Sequence, residues 1–275
     1  METLEEIFKE FKERSDARFA TFSIDEDVGN LSKIQDESYL ESSTWLGGDE
    51  EFVCLAIDLD KSSILSARKH VSTMARLYEY FTENIVDMLN LPDIKADYIG
   101  IKGDGVFGIY QGDDAIKRAF IASVTFRTFF EDHIKPKFKS EFGIDLNCKT
   151  AICKDKILVK RIGTRKYNNE IWAGRLVNNT YKLMKLSDRL RLENPLIQQS
   201  VLVVSDSIFS YLHTHHYDHA VMSCGCNTGD GLCKKLWSEI DTTAEEDISG
   251  SKAHYMHHIW CKEHGNIYLS EILGG

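Results

Sequence analysis

Phe52-Val53-Cys54-Leu55-Ala56-Ile57-Asp58 and Tyr98-Ile99-Gly100-Ile101-Lys102-Gly103-Asp104-Gly105-Val106-Phe107-Gly108-Ile109-Tyr110 are the two stretches whose reading decides the fold. The first is an apolar run bounded by acid on both sides, the pattern of a strand covered on two faces. The second reads as two apolar strands joined at Gly103-Asp104-Gly105, a tight hairpin whose glycines permit positive φ angles. Asp58 stands where the first run stops and Asp104 at the hairpin tip. Together they make a ligand pair for a metal-bound polyphosphate.

Outward from these stretches the chain alternates in character. Ile64, Leu65, Val71, Met74, Leu77, Tyr78, Phe81, Ile85, Met88 and Leu89 recur at helical spacing before Leu91-Pro92 breaks the pattern. A second helix is expected from about residue 113 to 141, then strands at 144–152 and 156–162. Residues 163–170 read as a polar, basic loop, followed by a helix from Ile171 to Arg191, a buried strand at Val201–Val204 and a short helix through Leu212. On that third helix Arg175, Asn178 and Lys182 share one side. Ahead of all this, Leu4, Ile7, Phe8 and Phe11 predict an amphipathic helix with an apolar face to pack on a neighbour, and residues 23–51 a polar connector. The mixed order of strands and helices favours an α+β sheet over an alternating parallel α/β fold. The expected division is an N-terminal helix and connector (1–51), a catalytic domain (52–212) and a Cys/His-rich C-terminal extension (213–275).

With 275 residues the chain is long enough for a full core. Its formal net charge of -10 offers no overall attraction for nucleic acid or anionic membranes, so an anionic substrate needs local donors or a metal ion. The N-terminus lacks the basic start and apolar run of a signal peptide, and no segment has the length to span a bilayer, so a cytoplasmic location is expected. The seven cysteines then read as core residues or metal ligands rather than disulfides. Cys224, Cys226, Cys233, Cys261 and His264 offer the softness of a structural zinc site, although the Cys-x-Cys spacing departs from the usual gap. Buried cysteines and a polar histidine-bearing helix face are the plainer alternatives.

A strand ending in Asp, a long helix, then a hairpin with Gly-Asp at its turn resembles the plan of the palm-type nucleotidyl transferases. Ala56-Ile57-Asp58-Leu59-Asp60-Lys61-Ser62-Ser63 and Lys102-Gly103-Asp104-Gly105-Val106-Phe107 resemble the two metal motifs of the class III nucleotidyl cyclases. Ile162-Gly163 and Ala173-Gly174-Arg175-Leu176-Val177-Asn178-Asn179-Thr180-Tyr181-Lys182-Leu183 resemble the segment by which a second subunit contacts the nucleotide. The resemblance covers roughly 52–212. It implies a ferredoxin-like α+β core, two Mg²⁺ or Mn²⁺ ions per site on Asp58, Asp104 and the Leu59 carbonyl, and a head-to-tail homodimer. Asn178 would orient the ribose and Lys182 would offset charge on the α-phosphate. The family usually carries Arg where this chain has Lys182, which loses the planar bidentate contact.

Purine cyclases read the base at two polar positions, which fall here on Gly100 and Ile171; neither side chain can hydrogen-bond a purine. Tyr167-Asn168-Asn169-Glu170-Ile171-Trp172-Ala173-Gly174 and Lys182 resemble instead the bacterial pyrimidine cyclases of the Pycsar anti-phage systems, which make cyclic CMP or cyclic UMP. Tyr98 or Tyr167 would narrow the pocket, and Arg165 would help hold the triphosphate. By this resemblance the product activates a separate effector protein. Shifting the alignment by one residue puts Glu170 at the second base position, which keeps an adenylate or guanylate cyclase open. A palm-like phosphohydrolase and a nucleotide sensor without turnover are the alternatives from other classes.

Overall fold

In the computed structural model the apolar run ending at Asp58 is the second half of a longer strand. The structure describes residues 4–21, 23–25, 31–35, 44–164, 166–194, 200–216, 221–227, 233–245, 248 and 250–256. In chain order its main elements are α1 (Leu4–Ala20), β1 (Ser23–Asp25), β2 (Thr44–Leu59), α2 (Ser62–Arg68) and α3 (Val71–Leu89). The hairpin β3 (Tyr98–Lys102) and β4 (Gly105–Tyr110) follows, then α4 (Ala115–Phe129), which passes through a π turn at Phe130–Ile134 into α5 (Lys135–Phe142). Next come β5 (Cys148–Thr164), β6 (Tyr167–Gly174), α6 (Leu176–Glu193), β7 (Val201–Ser205) and α7 (Asp206–His216). The chain continues through β8 (Ser223–Asn227), β9 (Cys233–Lys235), β10 (Trp237–Asp241) and β11 (Lys252–Met256).

The chain divides into two compact units, residues 1–50 with 156–174, and residues 51–155 with 175–275. In the larger unit the sheet order is β10-β11-β7-β5-β2-β4-β3. β5 and β7 run parallel, while β2–β4, β3–β4, β7–β11 and β10–β11 are antiparallel. Alternation along β2 sends Val53, Leu55, Ile57 and Leu59 into one core with Leu77, Phe81 and Ile85 of α3 and Phe120 and Val124 of α4. Cys54 points to the opposite face, where the Thr180 hydroxyl of α6 reaches it. Both faces of β2 are thus covered, which is why residues 52–57 are almost uniformly apolar. The mixed sheet with its helices is the α+β class expected.

Several boundaries differ from the sequence reading. The strands expected at 144–152 and 156–162 are one strand, β5. Residues 163–170 are no loop: β6 pairs antiparallel with the end of β5, from Thr164↔Tyr167 to Ile157↔Gly174, within the smaller unit. The third helix accordingly begins at Leu176 instead of residue 171. In the connector, β1 lies parallel to the start of β2. Residue 213 falls inside α7, and β10 and β11 extend the main sheet through β7, while β8 and β9 form a separate two-stranded sheet. On α1, the aromatic side chains Phe8 and Phe11 are 65% and 63% exposed. Among the described residues no helix is long and apolar enough to cross a membrane.

Gly100 has a packing reason of its own. It lies opposite Phe107 in the β3–β4 ladder, and a Cβ at position 100 would come within 2.4 Å of the Phe107 ring. The ring lies over the bare backbone and meets Tyr98 at 6.0 Å between centroids. Gly100→Ala is therefore expected to cost about 1–3 kcal/mol through overpacking, read as a lower urea midpoint with unchanged slope.

Candidate active site

Asp58 occupies the last turn-facing position of β2, just before the chain leaves the sheet. The turn that follows is held by Asp60. Its backbone N–H donates to the Asn147 carbonyl at 2.8 Å, and its buried carboxylate pairs with Arg191 of α6 and, at 3.3 Å, with Lys149 of β5. Lys149 pairs in turn with Asp188 at 2.8 Å. Lys61 then takes a left-handed conformation, φ 57°, to start α2. Asp60 is neutralised by these two cations, whereas Asp58 two residues earlier is left facing outward and half-buried.

The β2–β4 register, ending at Ile57↔Val106, delivers the second carboxylate to the first. Lys102 pairs with Gly105 across a two-residue turn in which Gly103 has φ 63°, so Asp104 is carried at the tip beside the end of β2. Gly105 leaves room beside the pair: a Cβ there would lie 3.0 Å from Asp58 Oδ1, which would have to give by a few tenths of an ångström, and 3.5 Å from the Tyr181 hydroxyl. Burial first, and then the charge of Asp104, push the Asp58 carboxyl up to about 6, with Lys149 opposing. Asp104 Oδ2 is buried and has no hydrogen-bond partner among the described residues. Two carboxylates that repel each other, one with an orphaned buried acceptor, form a donor set suited to a hard cation.

Beside the pair opens a cleft of about 440 Å³ bordered by Asp58, Leu59, Lys61, Ser62, Lys149 and Arg191. Leu59 buries its side chain in the core, leaving only its carbonyl to act as a ligand. Among the described residues no group of three or more His, Cys, Asp or Glu side chains converges on a metal position. A site with two carboxylates fits Mg²⁺ or Mn²⁺ completed by substrate phosphates, and does not resemble a closed structural zinc site. For the suggested zinc ligands, Cys261 and His264 lie outside the described residues, as do the side chains of Cys224, Cys226 and Cys233.

On α6 the structure separates the Asn178-Asn179 doublet. Asn179 is buried against Asp155, whereas Asn178 is exposed, with half-buried Lys182 one turn on along the same side. Of the residues proposed to contact the nucleotide, Tyr98 is buried beside Phe107. Ile171 is exposed on β6 in the smaller unit, paired with Lys160; Arg165 and the side chain of Tyr167 lie outside the described residues. Asp60, Lys149, Asp188, Arg191 and Tyr181 were not singled out by the motifs. The one signal in the sequence was the second acid of Asp58-x-Asp60.

The chain matches no family model. It is 31% identical over 254 residues to a protein named uridylate cyclase from Propioniciclava tarda, covering 88% of this chain and 75% of that one. A second protein of the same name, from Micromonospora echinofusca, is 28% identical over 228 residues, covering 81% and 69%. Among solved structures, the adenylyl cyclase CyaB from P. aeruginosa superposes with a TM-score of 0.53 at 14% identity, over 75% of this chain and 93% of that one. The level and extent of the first match, on a fold shared with cyclase catalytic domains and with two carboxylates at the end of its central strand and hairpin, show that the chain belongs to the class III nucleotidyl cyclases.

Proposed function

We propose that the chain converts UTP to 3′,5′-cyclic UMP and pyrophosphate at a site built from two copies of itself. The observation that carries the metal chemistry is the mutual approach of Asp58 and Asp104 with a buried acceptor left over. These carboxylates and the Leu59 carbonyl would hold two divalent ions. Bound there, the ions would act as Lewis acids toward the ribose 3′-hydroxyl and the departing pyrophosphate. In the reaction the 3′-oxygen gives its proton to solvent and bonds to the α-phosphorus, and the bond from that phosphorus to the oxygen bridging it to the β-phosphate breaks, that oxygen and its electron pair leaving with pyrophosphate. Asn178 of a second copy orients the ribose. Lys182 of that copy places a positive charge where negative charge grows on the α-phosphoryl oxygens.

The choice of a pyrimidine is supported by the names of the two relatives and by the absence of a hydrogen-bonding side chain at Gly100 and Ile171. UTP comes before CTP because both relatives are named for uridylate. This reading carries with it a cytoplasmic second-messenger role in anti-phage defence, with the cyclic nucleotide acting on a separate effector protein.

Incubation with each of the four ribonucleoside triphosphates and Mn²⁺, with products identified by mass, tests the reading. Cyclic UMP from UTP is expected to exceed every other product at least about tenfold, a margin that one polar group left unpaired by the wrong base is enough to supply. Cyclic AMP or cyclic GMP as the main product overturns the pyrimidine assignment. A nucleoside monophosphate with inorganic phosphate or pyrophosphate identifies a hydrolase, and bound but unchanged nucleotide identifies a sensor.

A further inference from the structure

From α6, Tyr181 brings its hydroxyl to the gap that Gly105 leaves open beside Asp58. Its hydroxyl is buried and has no hydrogen-bond partner among the described residues. The neighbouring Thr180 hydroxyl, by contrast, is used locally, donating to the Leu176 carbonyl at 2.7 Å. A buried hydroxyl without a partner is uncommon and calls for a ligand, a water or a movable neighbour to complete it. The complementary group is close enough for its charge to act on this phenol: Asp104 Oδ2 is a buried acceptor that also lacks a partner among the described residues.

The phenol is a donor in this setting. With an ordinary pKa of about 10 a phenol keeps its proton at neutral pH, and its hydroxyl is available as a donor. A neutral phenol beside two carboxylates offers a cation little by itself. It can, however, fix the orientation of a carboxylate by hydrogen-bonding the oxygen that the cation does not use, directly or through one water.

We infer that Tyr181 is a positioning residue for the metal-binding carboxylates of its own chain, its hydroxyl donating to the Asp58–Asp104 pair when a divalent cation is bound. The inference rests on the reading of that pair as metal ligands given above. It assigns α6 two separate tasks, since Tyr181 faces the carboxylates of its own chain whereas Asn178 and Lys182 serve a second copy. Gly105 has no positive φ, and the room it leaves lies between Asp58 Oδ1 and the Tyr181 hydroxyl.

The test is Mn²⁺ binding, counted by electron paramagnetic resonance in the presence of 3′-deoxy-UTP, which has no 3′-hydroxyl to cyclise. Tyr181→Phe is expected to weaken Mn²⁺ about tenfold, at the lower end for loss of a ligand-orienting hydrogen bond. Its turnover of UTP should fall by a similar factor at limiting Mn²⁺ and largely recover at saturating Mn²⁺, while its melting temperature without metal holds or rises. Gly105→Ala, whose Cβ would press on Asp58 Oδ1 and narrow the space before the Tyr181 hydroxyl, should also lower the affinity. If Asp104→Asn weakens Mn²⁺ while Tyr181→Phe and Gly105→Ala stay within about twofold of the parent, Tyr181 has no positioning role. If Asp58→Asn and Asp104→Asn also leave Mn²⁺ binding intact, the metal reading itself fails and takes the inference with it.

Discussion

Asp58→Ala and Asp104→Ala are each expected to lower turnover at least about 10⁴-fold, equivalent to about 5.5 kcal/mol of transition-state stabilisation. The fold should survive. Among the described residues neither side chain makes an ion pair of the kind that secures Asp60, whose partners Lys149 and Arg191 hold the turn. The pH dependence of stability separates this account from a structural role. Asp58 holds its proton more tightly in the folded chain, with a carboxyl at about 6 against an ordinary 3.8. The stabilisation from that proton is fully present below the ordinary value and is lost as the pH rises through about 6. Asp58→Asn should therefore melt higher than the parent at pH 7.5 in EDTA and nearly level with it at pH 4. Added Mn²⁺ should raise the parent and leave the variant unmoved. A variant that melts well below the parent at pH 7.5 without metal would place Asp58 among the groups that hold the fold together.

Asn178→Ala and Lys182→Ala should each lower kcat about 10²- to 10³-fold, the loss typical of removing one preorganised donor or cation from a transition-state charge. Mn²⁺ binding should be unchanged in both, because neither residue belongs to the carboxylate pair. Lys182→Arg should lose far less than Lys182→Ala, since a guanidinium keeps the charge. Asn178 is exposed, so its truncation should leave the melting temperature within about a degree. Asn179→Ala should show the opposite profile, a loss of stability with turnover per folded molecule retained, because its side chain is buried beside Asp155.

The central strand, the hairpin and the long helices were legible because each announces itself locally. Residues 52–57 alternate between two apolar environments, Gly103 supplies the φ that the turn needs, and α3 keeps one apolar face through Met74, Leu77, Phe81, Ile85 and Met88. The strand at 156–162 is legible, whereas β6 and its pairing with β5 are not, because the polar residues Asn168, Asn169 and Glu170 lack the apolar alternation that marks a strand covered on one face. The strands β10 and β11 were obscured by the Cys- and His-rich sequence around them. In the site, Asp58, Asp104 and the outward-facing Asn178 sit at recognisable positions in short motifs. The clamp on Asp60 was not legible, since Arg191 lies 131 positions away and only the fold brings the two together. Tyr181 was hidden for a related reason: its neighbours Gly105 and Asp58 belong to other elements. Gly100 read as a residue chosen for what it lacks toward a base, and the structure adds that the Phe107 ring requires it.

The central claim is that one reaction centre takes its carboxylates from one chain and Asn178 and Lys182 from another. Mixing Asp58→Ala with Asn178→Ala, each nearly inactive alone, tests it most directly. After subunit exchange about half the dimers are mixed, and each mixed dimer holds one intact site of two, so activity should return to about a quarter of the parent. Cyclic nucleotide formation at the sum of the two separate variants, with exchange verified, would contradict a shared site.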